Sequence, residues 1–211
     1  MSSTQIQDIE HAYLPLTKKI ELLLLLLHEK PATILECPTT SQHGIESVSP
    51  QPGRALELVT RIDLPFTFGD IRKYEKNTFL QDIYVGSTEY WHDQIRAADK
   101  FFVEHLNPLS LKEFENAPAK REYEQEIGRC YGYPDTAIQA YLGEIPRTSS
   151  KVEPHDPLFF FTHFIFSKDH REEELKTSER WRDAVRNASP ILYQKIIRKC
   201  AQASDNWLYD P

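Results

Sequence analysis

Residues 155–167 read His155-Asp-Pro-Leu-Phe-Phe-Phe-Thr-His163-Phe-Ile-Phe-Ser167. Between Leu158 and Phe166 only Thr162 and His163 are neither hydrocarbon nor aromatic. Burying one large apolar side chain is worth about 1.5–3 kcal/mol, so the run belongs inside the fold. It is too short to cross a bilayer, which takes about 20 apolar residues. An inner strand and an all-round apolar helix are both open, because both faces are apolar. The short length and the β-favouring phenylalanines lean toward a strand.

The chain around this run predicts mostly helix. Leu22 to Leu27 form an uninterrupted hexaleucine. Asp8, Glu10 and Glu21 precede or enter it, and Glu29-Lys30-Pro31 follows where small cleavage-site residues would stand, so it is no signal peptide. A first segment from Ile6 to Tyr13 meets Pro15. Thr17 then caps a helix through Glu29, which Pro31 ends. The leucines cover more than one helix face, so that helix is wrapped on several sides or contributes to a homo-oligomer interface.

Strands are expected in the middle third. Ala32 to Cys37 reads as a short one. Leu56, Leu58, Thr60, Ile62, Leu64, Phe66 and Phe68 alternate with mostly polar residues, the period of a half-buried strand. Phe79 to Val85 reads as another. Residues 38–53, rich in Pro, Ser, Thr and Gln, read as a flexible loop.

Helices resume after Ser87. Trp91, Ile95, Ala98, Phe102 and Leu106 recur at helical spacing. Ser110 and Glu113 form a capping box, and Pro118 suits a first helical position. Gly132 stops that helix, Pro134 opens a short one from Asp135 to Leu142, and Gly143 closes it. Two helices follow, one with Leu175, Trp181 and Val185, the other after Ser189-Pro190. The expected fold is therefore α+β and mainly helical: a small antiparallel sheet drawn from residues 32–86, with 158–166 as a candidate strand, covered by N- and C-terminal helices. We read residues 1–211 as a single globular domain, with residues 1–30 as a helical arm docked on it.

Composition excludes some functions. A net charge of −7 and a pI near 5.6 disfavour nucleic acid and anionic membrane surfaces as partners. Cys37, Cys130 and Cys200 are odd in number and far apart, which argues against a disulfide framework and for a cytoplasmic protein. No Gly-rich phosphate loop, nucleophile elbow or His-Glu-x-x-His is present.

Three patterns remain for chemistry. Tyr131-Gly132-Tyr133-Pro134-Asp135 places two phenols and a carboxylate at a tight corner. His163 is a lone imidazole among aromatic residues, and its surroundings imply a neutral ring with a lowered pKa. His155, His163 and His170 surround the central run and are the candidate metal ligands. Asp8 with His11, and Glu89 with His92, have the carboxylate-x-x-His spacing of di-metal bundles. Together these point to a small-molecule binding or regulatory protein, with a pocket between the aromatic run and the Gly132 turn. The alternative is a small enzyme using His163, Tyr131, Tyr133 and Asp135 for general acid–base work, with or without a metal. The sequence names no cofactor.

Overall fold

A computed structural model of the chain describes residues 1–38, 52–75 and 78–202. Helix α1 (Ser3–His11) starts at a capping box in which Ser2 and Gln5 satisfy each other's backbone N–H groups at 3.2 and 2.7 Å. Helix α2 (Leu16–Leu26) follows Pro15 and carries the leucines. Its end differs from the expectation. His28 turns left-handed at φ 57°, and the N–H groups of Glu29 and Lys30 both fold back onto the Leu24 carbonyl. The helix therefore stops before Pro31 is reached.

Strand β1 (Ala32–Pro38) comes next, and residues 39–51, most of the expected loop, lie outside the described residues. Helix α3 (Pro52–Arg61) replaces the strand expected over Leu56 to Phe68. Ala55, Leu58, Val59 and Ile62 are the buried positions there, and their spacing of three and four is helical. The same stretch satisfied a period of two because Leu58 and Ile62 fall on both patterns. Asp63, at φ 56°, ends this helix, and the true strand β2 (Phe66–Glu75) begins only after Pro65.

Strand β3 (Thr78–Gly86) pairs antiparallel with both others, in the order β1-β3-β2. Its central position puts Ile83 opposite Leu35 on one side and Phe68 on the other. Alternation then sorts the side chains. Leu35, Cys37, Ile83 and Val85 enter the main core, whereas Ala32 and Tyr84 face a second, smaller one.

Helix α4 (Glu89–His105), capped by Thr88, covers the second face, followed by α5 (Leu111–Asn116) and α6 (Pro118–Cys130). Helix α6 packs on α4 and begins with Pro118 at its first turn. Helix α7 (Asp135–Tyr141) is short. The last long elements, α8 (Arg171–Ala188) and α9 (Pro190–Gln202), return to the main core beside α2. Helical residues outnumber strand residues by more than two to one, as expected of a mainly helical α+β fold.

The central run is not a strand of the sheet. Asp156 caps a 3-10 turn over Pro157–Phe161 by accepting from the Leu158 N–H at 2.8 Å. Pro157 presets the first φ of that turn. An irregular stretch follows, bent at Phe164, with a single isolated bridge between Arg147 and Ser167. Leu158, Phe160, Phe161 and Phe166 are buried, but Phe159, Phe164 and Ile165 are only half-buried.

The leucine helix is spent inside the chain. Leu22 to Leu26 pack among α1, α8, α9 and β1 and are at most 8% exposed. These five side chains are covered by their own chain, and Leu27 at the end of the run is half-buried. Among the described residues, no helix is long and apolar enough to cross a membrane.

Candidate functional site

Helix α6 ends at the Gly132 corner. Gly132 takes φ 73°, its N–H reaches the Arg129 carbonyl at 2.9 Å, and the Tyr133 N–H reaches the Gly128 carbonyl at 3.0 Å. A Cβ at residue 132 would stand 2.7 Å from Pro31 Cδ and 3.5 Å from Trp181 Cζ2. Both the left-handed turn and the close approach therefore require glycine. The corner brings Tyr131 and Tyr133 side by side, ring centroids 5.7 Å apart, and sets Tyr133 5.5 Å from Phe164 of the central run.

Between these rings and the run lies a cavity of about 690 Å³. Its apolar walls include Tyr123, Ile127, Tyr131, Tyr133, Ile138, Tyr141, Phe164 and Ile165; its polar groups include Lys120, Glu124, Thr162 and His163. At the rim Lys120 and Glu124 stand 3.7 Å apart, and the Tyr141 hydroxyl donates to Glu124 at 3.2 Å. The phenol oxygens of Tyr131 and Tyr133 make no hydrogen bond within the described residues.

His163 faces this cavity because its neighbour is anchored. The Thr162 hydroxyl lies within hydrogen-bonding distance of the Leu158 carbonyl, at 3.0 Å, and of Ser178 Oγ, at 3.2 Å. Phe161 on one side of that anchor is fully buried, while His163 on the other is exposed. The neighbouring phenylalanines thus do not enclose the imidazole. Protein nevertheless surrounds the cavity wall, and this desolvation holds the His163 pKa below its ordinary 6.5. The positive charges of Lys30 and Lys18 add to the lowering; Glu21 and a hydrogen bond to the Phe160 backbone oppose it.

Lys30 is the residue that sequence reasoning missed. Only 2% exposed, its ammonium lies 5.1 Å from the Trp181 ring centroid, 5.8 Å from Tyr131 and 5.9 Å from Tyr133. Such aromatic faces attract a cation and partly offset its lost hydration. Burial still lowers its pKa, with Glu21 pulling the other way. Burial would raise the Glu21 carboxyl, but the charges of Lys30 and Lys18, with hydrogen bonds from Lys18 Nζ at 2.9 Å and Thr33 Oγ1 at 2.8 Å, hold it below the usual range. Nothing local in Glu29-Lys30-Pro31 signals this burial, since the cage comes from two distant parts of the chain.

Burial also raises the phenol pKa values of Tyr131 and Tyr133, reinforced at Tyr131 by its neighbouring tyrosines and at Tyr133 by Glu21. Both phenols are thus protonated hydrogen-bond donors at neutral pH. The thiol of Cys130 is pushed by burial up to about 12, as is that of Cys37, so neither is a nucleophile there.

Other expected site residues lie elsewhere. Asp135 opens α7 with its side chain 78% exposed and 3.8 Å from Arg129, outside the cavity. His155 is exposed, and His170 sits at the start of α8, 3.7 Å from Glu173. No three His, Cys, Asp or Glu side chains among the described residues gather to hold a metal ion, so His155, His163 and His170 do not form such a centre. The two carboxylate–histidine pairs are separated by the sheet. Asp8 on α1 pairs with Arg61 at 3.5 Å on one side, and His92 is buried on α4 on the other. No family model, curated protein or solved structure matches the chain.

Proposed function

We propose that the protein binds a planar, largely apolar small molecule in the cavity between the Gly132 corner and the Thr162–Ile165 wall, and that this binding is its function, in a reducing, cytoplasmic setting. The observation that carries this reading is the pair of phenols, Tyr131 and Tyr133, which have no hydrogen-bond partner among the described residues and stand at the wall of an aromatic cavity large enough for a ligand. Unmet donors beside aromatic walls suit a ring system bearing a carbonyl or similar acceptor. Flavone and a set of related aromatic ketones are suitable probes. We expect them to shift the NMR signals of Tyr131, Tyr133 and His163, and Tyr133→Phe to weaken binding about tenfold by removing one hydrogen bond. A set of planar ketones that leaves those signals unmoved overturns the proposal.

A catalytic version of the same site is favoured by His163. An imidazole that is neutral at pH 7 and faces the same cavity as two protonated phenols can accept a proton there while the phenols steady developing negative charge. Glu21, not Asp135, is the carboxylate in electrostatic reach of that histidine. Bound probe recovered unchanged by NMR after long incubation supports binding alone. Conversion that His163→Gln abolishes supports catalysis.

A further inference from the structure

Thr162, Phe164 and Ile165 line a second cavity as well, of about 350 Å³, within the range of about 300–1,000 Å³ that small-molecule sites occupy. Its apolar floor is Phe159, Phe164, Ile165 and Phe166; its lip is the segment from Arg147 to Lys151, with Thr148, Ser149 and Ser150 between the two cations. Backbone bonds fix that lip to the wall. The Thr148 N–H donates to the Phe166 carbonyl at 3.0 Å, the Lys168 N–H donates to the Pro146 carbonyl at 2.8 Å, and Arg147 bridges Ser167.

Charge is left uncompensated there. Arg147 and Lys151 are exposed and make no ion pair with the described residues. Glu144, the nearest acid upstream, is taken by Arg121 at 2.6 Å. Beside the floor, the Arg171 guanidinium stacks on Phe166 at 5.2 Å, and its buried Nε has no hydrogen-bond partner among the described residues. In a chain of net charge −7, unneutralised cations around an apolar floor are a specific local arrangement.

We infer that this second cavity binds a small anionic amphiphile, its carboxylate or phosphate head on Arg147 and Lys151 and its short apolar body on Phe159, Phe164 and Phe166. The lip hydroxyls are free to donate to the head, and arginine and lysine are the side chains that grip such anions. The head-group residues Arg147 and Lys151, with Phe159 and Phe166, line this cavity and not the tyrosine cavity, whereas Phe164 is a wall common to both.

The test is an NMR titration of the full chain with octanoate, octyl phosphate, octanol, octylammonium and inorganic phosphate. Octanoate or octyl phosphate is expected to saturate at millimolar concentration or below, moving the amide signals of Arg147 to Val152 and of Phe159 and Phe166. The tighter of the two identifies the head group as carboxylate or phosphate. Arg147→Gln and Lys151→Gln, both exposed positions, should each weaken binding about tenfold. Octanol or octylammonium binding as tightly as the anions overturns the inference, as does inorganic phosphate matching octyl phosphate. Shifts confined to Tyr131, Tyr133 and His163 also overturn it, while leaving the tyrosine cavity as a binding site.

Discussion

Two apolar runs take opposite roles in this protein. Leu22 to Leu26 are buried on every side, held by helices from both ends of the chain and by β1. Leu158 to Phe166 are buried only in part, and the residues left over form the walls of two cavities. The difference lies in backbone form. A regular helix turns its side chains through all directions, so neighbours packed around it cover them all. A 3-10 turn and the irregular stretch after it have no such regular spread, and there Phe159, Phe164 and Ile165 stay half-buried and His163 exposed. Helix regularity consumed one run as structure; irregularity left the other with an open face.

The largest effect that tests this contrast is on stability. Leu23→Ala removes a fully buried side chain from the main core, and should cost about 2–5 kcal/mol. Ile165→Ala, on the half-buried wall, should cost about 1 kcal/mol or less. Urea unfolding of both variants measures the two losses. Equal losses would mean that the wall is core after all.

Much of the frame around these runs was legible in the sequence, because local chemistry decides it. Ser110 with Glu113, Pro118, Gly132 and Gly143 each stand where their capping roles place them. The stretch from Ala55 to Phe68 misled because hydrophobic positions at even numbers overlap those at helical spacing, and the tie is broken by tertiary packing against α1 and β1. Asp156-Pro157 carried a readable helix-start signal for the central run, overshadowed by its five phenylalanines. Of the expected site, His163, Tyr131 and Tyr133 meet at one cavity, whereas Asp135 does not, because the first turn of α7 points it to solvent. Lys30 was illegible. Its burial depends on Tyr131, Tyr133 and Trp181, more than 100 residues away in the chain, and no local pattern encodes that meeting.

A glycine pair sharpens the comparison at the corner where the second run meets α6. Gly132 and Gly143 have nearly the same left-handed φ, 73° and 75°. A Cβ at 143 meets nothing within 4 Å, while one at 132 runs into Pro31 at 2.7 Å. Gly143→Ala should therefore cost only the backbone strain, about 1–2 kcal/mol. Gly132→Ala should cost more, since the Pro31 ring is part of the backbone and cannot swing away. It should also disturb the tyrosine signals at the cavity, which Gly143→Ala leaves in place. Matching losses would show that Pro31 yields easily and that the corner is held by φ alone.

The smallest effect is the most specific to the second run, and it concerns a proton. His163 is harder to protonate in the folded protein than in the unfolded chain, whose imidazole titrates near 6.5. Below that pH the folded state binds fewer protons than the unfolded one, so acidification destabilises the protein through the window beneath 6.5. His163→Gln should remove that part of the acid slope. An NMR titration, with the His163 signal assigned by its loss in that variant, should give a midpoint below 6.5. The neighbours then fix the direction of further change. Lys30→Met deletes a positive charge that opposes protonation and should move the midpoint upward; Glu21→Gln deletes the carboxylate that favours it and should move the midpoint downward. The leucine run offers nothing that could respond, because it holds no titratable group between Glu21 and His28. A His163 midpoint at or above 6.5, or one that both substitutions leave unmoved, would separate the histidine from the Lys30–Glu21 pair. The second run would then be an apolar wall with an unrelated imidazole on it.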